Sequence, residues 1–438
     1  MRFLTIPRSS FKKVDKGLLN YASGLIEKNR DTYRELPVRK KNNTELNSPL
    51  HDIIPKKMPL EGIADSKDVL DILTHDVLET NAQINHPGFI AHMDPPTPSI
   101  AIAAGMMQIA TNQNLLHPDV APKARQIEQR VVDWLASYFH MDGGHFVPGS
   151  TIANLTALWA ARETRDITTI IASNKSHLSV KKAANLLNLN YIECETNEKD
   201  EMIINELLNV KDLNQSAVVL TAGTVACGAF DPIDEYFDKV GKMNGSGTAA
   251  KWVHIDSAWA GPLQLSSKYN HIFNGIEYAD SFGFSAHKWM YQPKGTALCL
   301  FKNVDEAHEA LSYGGGYLSA PNIGLLGTAP ASAIPLCATL LKYGLNGMVD
   351  LIENDMNKAN ELIELIQAND NKFELFNSNV CGVVVWRAKN KCAGTIRDSL
   401  KNGWVSLCEI NGEFWFRSVF SNPNADPKLL FDEVSKVC

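Results

Sequence analysis

Two polar residues beside apolar runs are the places where this chain could do chemistry. Asp256 closes the run in Trp252-Val-His-Ile-Asp256-Ser-Ala258-Trp259, and Lys288 follows the next one, in Asp280-Ser-Phe-Gly-Phe-Ser-Ala-His287-Lys288-Trp289. An amine is costly to bury unless something uses it, and a buried lysine can condense with a carbonyl to give a Schiff base. A carboxylate nearby can keep a heterocyclic nitrogen protonated, which makes that ring an electron sink. Side chains at the carboxyl ends of strands in α/β sheets gather around one crevice. Each residue also has a plainer reading: Lys288 as a solvated charge, Asp256 as a turn or helix-capping carboxylate.

Three further stretches belong with these two. Gly149-Ser150-Thr151 precedes a helical pattern over Ile152–Arg162, and a helix N-terminus offers N–H groups and a favourable dipole to a phosphate, although simple N-capping explains it equally. His177 stands in Ser173-Asn-Lys-Ser-His177-Leu-Ser179. Thr221-Ala-Gly223-Thr224-Val225 follows another apolar run. Together these motifs resemble the group II pyridoxal-dependent amino acid decarboxylases, which include aromatic amino acid and glutamate decarboxylases. The family's His-Val-Asp-Ala-Ala-Trp, His-Lys-Trp, Ser-Gly-Gly-Thr-x-Ala-Asn, Ala-His-x-Ser and Thr-x-Gly-Thr-Thr signatures are nearly reproduced. The chain departs from them at Ser150 and Val225, which replace a glycine and a threonine. Gly327-Thr328-Ala-Pro-Ala-Ser-Ala stands where many members carry Gly-Ser-Arg.

The resemblance implies pyridoxal 5'-phosphate as cofactor and decarboxylation of an L-amino acid to the amine and CO2. It assigns Lys288 to the Schiff base, Asp256 to the pyridine nitrogen and Ala258 to the flat approach of the ring. His177 would stack on the ring and contact the departing carboxylate. Gly149, Ser150, Thr151, Thr224 and His287 would complete the cofactor site. The proton returned to Cα would come from Tyr313 or Tyr317, in Ser312-Tyr313-Gly-Gly-Gly-Tyr317, a stretch that reads as a flexible lid or as an ordinary glycine-rich turn. The resemblance further implies a homodimer, with the N-terminal segment against the partner. Two alternatives stand beside it: a carbon–carbon lyase resembling sphingosine phosphate lyase, and a non-catalytic relative that keeps only the fold.

The elements that must position these residues follow from periodicity. Short apolar runs at Thr168–Ile171, Tyr191–Glu193, Ala217–Leu220, Trp252–Ile255, Ser281–Phe284 and Ala297–Phe301 alternate with helical patterns at 152–162, 180–187, 203–208 and 233–240. That alternation predicts an α/β fold with a large, mostly parallel sheet covered by helices on both faces. With the resemblance, it becomes the type I pyridoxal phosphate (aspartate aminotransferase-like) fold. Helical patterns at 334–343 and 351–366, then strand-like 380–386 and 414–419, predict a small α+β C-terminal domain. The expected divisions are an N-terminal helical segment, 1–85, a cofactor-binding domain, 86–316, and the small domain, 317–438. Residues 36–59 read as an extended connection, and Arg125–Phe139 as an amphipathic helix with Ile127, Val131, Leu135 and Tyr138 on one face.

Composition narrows the partners. A net charge of -7, with Lys12-Lys13, Lys40-Lys41 and Lys181-Lys182 as scattered pairs, does not suit nucleic acid or an anionic membrane. The apolar tract near Ile100–Ala110 is interrupted by Gly105 and Gln108 and is too short to span a bilayer. Eight cysteines without a Cys-x-x-Cys pair suggest reduced thiols in a cytoplasmic protein rather than disulfides or zinc. His254 and Asp256 lack further ligands at metal-site spacing, so no metal is expected. The expected small-molecule partner is an amino acid.

Overall fold

The computed structural model of the chain describes residues 14–31, 38, 57, 58, 60, 62, 63, 65–241 and 249–438. The connection expected over 36–59 lies outside these apart from Val38, Lys57 and Met58, as do Lys12-Lys13 and Lys40-Lys41. Seven strands form the main sheet: β1 (Gly143–Val147), β2 (Thr169–Ser173), β3 (Asn190–Cys194), β4 (Ser216–Thr221), β5 (Trp252–Asp256), β6 (Ser281–Phe284) and β7 (Ala297–Phe301). Their order is β1-β7-β6-β5-β4-β2-β3. Every pair from β3 across to β6 is parallel, and only β7 runs against its neighbours.

The central strands read as continuous apolar runs because both of their faces are covered. In β4, Val218 and Leu220 enter a core shared with Val131 and Leu135 of helix Pro122–Ala136 and with Leu336 and Met348 of helix Ala333–Gln367. Ala217 and Val219 point the other way, onto Ala157, Leu158 and Ala161 of helix Ser150–Arg165 and Val180 of helix Leu178–Leu186. Pairing register sets Thr221 opposite Asp256, and Asp256 opposite Gly283, so the carboxyl ends of β4, β5 and β6 finish side by side.

Two short strands, β8 (Ser312–Tyr313) and β9 (Asn322–Ile323), form a separate antiparallel ladder. The smaller antiparallel sheet has β10 (Phe373–Leu375), β11 (Val383–Ala388), β12 (Ser406–Ile410) and β13 (Glu413–Val419), in the order β10-β11-β13-β12. Among the described residues no helix is long and apolar enough to cross a membrane.

Local differences from expectation have local causes. Tyr138 lies partly exposed while Phe139 is fully buried, because the helix tightens into a 3-10 turn over Ser137–Phe139 and rotates the last residues inward. The helical region expected to include 334–343 and 351–366 spans Ala333–Gln367 as two helices that meet at a kink at Gly344, whose φ of 65° glycine alone adopts cheaply. Strand β1 lacked an apolar run in the sequence because two of its five residues are Gly143 and Gly144.

Gly144 is needed for closeness. A Cβ there would stand 2.1 Å from the carbonyl oxygen of Cys299 on β7. Gly144→Ala should therefore open the β1–β7 pairing and destabilise the chain by about 1–3 kcal/mol or more, read as a lower urea midpoint.

Candidate active site

A cavity of about 430 Å³ opens where β4, β5 and β6 end. Its wall includes Gly149, Ser150, Thr151, His177, Asp256, Ala258, His287 and Lys288. The turn after β5 and the turn after β6 are tied by backbone bonds from Ser257 N to Gly283 O (2.9 Å) and from Ser285 N to Ala258 O (3.2 Å). Asp256 and Lys288 are thus held in one wall although the sequence separates them.

Burial lowers the Lys288 pKa, Lys294 and Arg417 lower it further, and Asp256 opposes them. The amine has no hydrogen-bond or ion-pair partner among the described residues, which suits a nucleophile. Asp256 is 2% exposed and accepts hydrogen bonds from Asn154 Nδ2 (2.7 Å) and Ala258 N (3.1 Å).

Helix Ser150–Arg165 begins at this cavity. Gly149 supplies its N-cap without a side-chain hydrogen bond, and its carbonyl takes the N–H groups of Ile152 and Ala153. Those of Ser150 and Thr151 have no partner among the described residues, the state in which a helix terminus receives an anion. Ser150 Oγ lies 2.6 Å from Ser285 Oγ. His287 Nδ1 faces the Thr296 carbonyl at 2.9 Å, and burial first, then Lys294 and Lys288, push its pKa down to about 4. His177 Nδ1 is 2.6 Å from Ser179 Oγ.

One expectation is corrected, and two expected residues stand apart from this cavity. Thr224 does not line the cavity: its hydroxyl accepts from Ala229 N (3.0 Å) and faces Cys227, closing its own loop. Thr221 lines the wall instead, and its buried hydroxyl has no partner among the described residues. Tyr313 and Tyr317 also lie away from the Lys288 cavity of their own chain. Tyr313 is fixed in β8 and stacks on Trp159 at 5.8 Å, while Tyr317 is 75% exposed.

Sequence reasoning placed Phe416-Arg417 in the small domain by resemblance but gave Arg417 no role; it sits in β13 within the apolar stretch Phe414-Trp-Phe-Arg417-Ser-Val. It is buried, and it donates to Val225 O (2.5 Å), Ala91 O (3.4 Å) and Ser406 Oγ (3.3 Å), with no carboxylate in ion-pair contact among the described residues. A charged residue inside an apolar strand was the available signal.

These features fit pyridoxal phosphate. The wall offers an unpaired amine, an opposed carboxylate, a helix terminus with free N–H groups and an orphaned hydroxyl at Thr221. Fold and site define a type I pyridoxal phosphate enzyme. A profile described as the pyridoxal-dependent decarboxylase conserved domain matches residues 50–389, and the chain belongs to that family. It is accordingly a carboxy-lyase acting on amino acids, with pyridoxal 5'-phosphate as cofactor.

The aspartate 1-decarboxylase of Aliivibrio fischeri is 26% identical over 413 residues, spanning 80% of this chain and 73% of its own length. The L-2,4-diaminobutyrate decarboxylase of Rhizobium meliloti is 29% identical over 322 residues, spanning 67% of this chain and 63% of its own length. The crystal structure of Oryza sativa TDC with PLP and tryptamine superposes with a TM-score of 0.86 at 19% identity, covering 99% of this chain and 98% of that one.

The buried His254, in the middle of β5, gives a pH prediction. Burial holds its pKa down at about 4, against 6.5 ordinarily. Above about pH 6.5 it is neutral folded or unfolded; between 6.5 and 4 only the unfolded chain takes up the proton, so stability falls; below 4 the loss is complete. That loss should be on the order of 3 kcal/mol, and His254→Gln should flatten this part of the stability–pH curve measured by urea unfolding.

Proposed function

We propose that the chain removes the α-carboxylate of an L-amino acid at the Lys288 cavity, and that the residues around it divide the work as follows. Lys288 anchors the cofactor through its aldehyde carbon. Asp256 pairs with the protonated ring nitrogen. Ala258 and His177 confine the two ring faces. Ser150, Thr151 and His287 receive the phosphate at the start of helix Ser150–Arg165. Bound there, pyridoxal phosphate supplies the electron sink for the bond that breaks. The observation carrying this reading is the buried, unpartnered amine of Lys288 in one wall with the hydrogen-bonded carboxylate of Asp256.

The chain's own part is orientation. The bond to be broken must stand across the ring plane, so whatever grips the substrate's carboxylate selects the reaction. Arg417 does not itself line the cavity but is held on the carbonyl of Val225, which does, and it is suited to that grip: it is buried and cationic, its charge is felt at Lys288, and its Nη2 has no partner among the described residues. Tyr317 is the freer of the two tyrosines, and it would reach a cavity only across an interface between two chains.

Homodimerisation is the proposed assembly. Met107 and Ile109, on helix Ser99–Thr111, are 67% and 77% exposed, and Leu341 on helix Ala333–Gln367 is also exposed. Apolar surface of this kind favours a covering partner. The eight cysteines are all free, which supports a reducing, cytoplasmic location.

The test is a panel of L-aspartate, L-2,4-diaminobutyrate, L-glutamate and aromatic L-amino acids with pyridoxal phosphate supplied. Equal molar CO2 and amine from one of them is expected, and both should vanish in Lys288→Ala together with the absorbance of lysine-bound cofactor. Cleavage products without CO2 would replace decarboxylation by carbon–carbon lysis. Arg417→Gln should raise KM by roughly tenfold or more, the size of a lost charged hydrogen bond, while the lysine-bound absorbance persists. An unchanged KM would remove Arg417 from the substrate site.

A further inference from the structure

Behind the cavity wall lies a chain of buried polar groups joining four elements. Asn154, on helix Ser150–Arg165, is fully buried and has three partners: Asp256 Oδ2 at 2.7 Å and Ser179 Oγ at 2.9 Å from its Nδ2, and His254 Nε2 at 3.0 Å from its Oδ1. On its other side, His254 Nδ1 lies 2.8 Å from Ser281 Oγ, which also accepts the indole N–H of Trp252 at 2.8 Å. At the far end Ser179 Oγ is 2.6 Å from His177 Nδ1.

The donor sense of every link follows from the carboxylate. Asp256 can only accept, so Asn154 must turn its amide N–H groups toward it. Its Oδ1 then faces His254, whose Nε2 must carry the proton. Burial keeps His254 neutral, which leaves Nδ1 bare to accept the Ser281 hydroxyl proton. The second amide N–H of Asn154 goes to Ser179 Oγ, so the Ser179 proton goes to His177 Nδ1, which also accepts Ser179 N–H at 3.2 Å. The one ring proton of neutral His177 is therefore on Nε2, which has no partner among the described residues. Trp252 to His177 is a single one-way series.

We propose that Asn154, whose oxygen is held by the Nε2–H of His254 and whose amide N–H groups therefore face Asp256, is a positioning residue for the Asp256 carboxylate. His254 does not line the cavity. Without that N–H, the Asn154 oxygen is left buried with no donor, and only Asp256 and Ser179 hold the amide. The amide then holds Asp256 less firmly, so the ring-nitrogen partner weakens although it was not itself altered. This rests on the functional reading above for the identity of the ligand, but not for the hydrogen-bond series.

His254→Leu and His254→Gln distinguish positioning from packing, because the glutamine amide stands about where the imidazole Nε2–H stood. The dissociation constant for pyridoxal phosphate, titrated by absorbance with each full-length chain, should rise about tenfold in the leucine variant and stay within about threefold in the glutamine variant. Equal weakening in both, or no weakening in either, would overturn the proposal. Should the leucine variant fail to fold, 15N spectra of the unmutated, histidine-labelled chain decide it. His254 is expected as the neutral Nε2–H tautomer between about pH 6 and 8, with His177 in the same tautomer when neutral, and a charged or Nδ1–H His254 would overturn it. Failure of the unmutated chain to hold pyridoxal phosphate would count against the functional reading instead, with the spectra still deciding the relay.

Discussion

The architecture turns on keeping one carboxylate in a nearly closed wall. Asp256 has almost no access to water, and an acceptor with so little solvent costs free energy unless donors surround it. The fold brings two, from its own turn at Ala258 and from Asn154 on the helix across the sheet face. The parallel arrangement makes this possible. It places the end of β5 beside the ends of β4 and β6, and it starts helix Ser150–Arg165 at the same edge. A single edge thus receives the carboxylate, the helix terminus that suits a phosphate, and the lysine-bearing turn.

A second constraint holds that turn in place. Trp259, itself in the cavity wall, and Trp289, one residue beyond Lys288, stack at 4.5 Å with planes 8° apart. Trp259 donates to Cys381 O at 2.7 Å, and Trp289 donates to Asp355 Oδ2 at 3.0 Å on helix Ala333–Gln367. Tyr291 adopts a left-handed φ of 60° and places its hydroxyl 2.5 Å from the same carboxylate. That backbone is costly for a tyrosine and persists only where its surroundings determine it. The position of Lys288 is therefore referred to the long helix as well as to the sheet.

What the sequence made legible was local. Lys288, Asp256 and His177 stand in short motifs, and six of the seven strands of the main sheet announce themselves as apolar runs. Contacts made across the chain were illegible. Asn154 meets His254 and Asp256 about a hundred positions away, and nothing in either segment names the other. Thr224 looked suitable because a hydroxyl follows a glycine, yet its loop turns that hydroxyl inward and leaves Thr221 facing the cavity. The Tyr313-Gly-Gly-Gly-Tyr317 stretch carried flexibility in its composition but no information about where it docks. Strand β1 stayed hidden because the glycines that allow β7 to approach also erase the apolar signal.

Arg417 brings the two sheets into one chemical unit. It belongs to the small sheet, but its guanidinium donates to Val225 in the loop after β4, and its charge is felt at Lys288. Val225 stands where the family pattern has a threonine. Its side chain lines the cavity while its carbonyl accepts from Arg417, so a backbone group does the holding there and the side-chain hydroxyl is dispensable for that contact. A guanidinium anchored through backbone carbonyls keeps its direction whatever side chains line the rest of the wall.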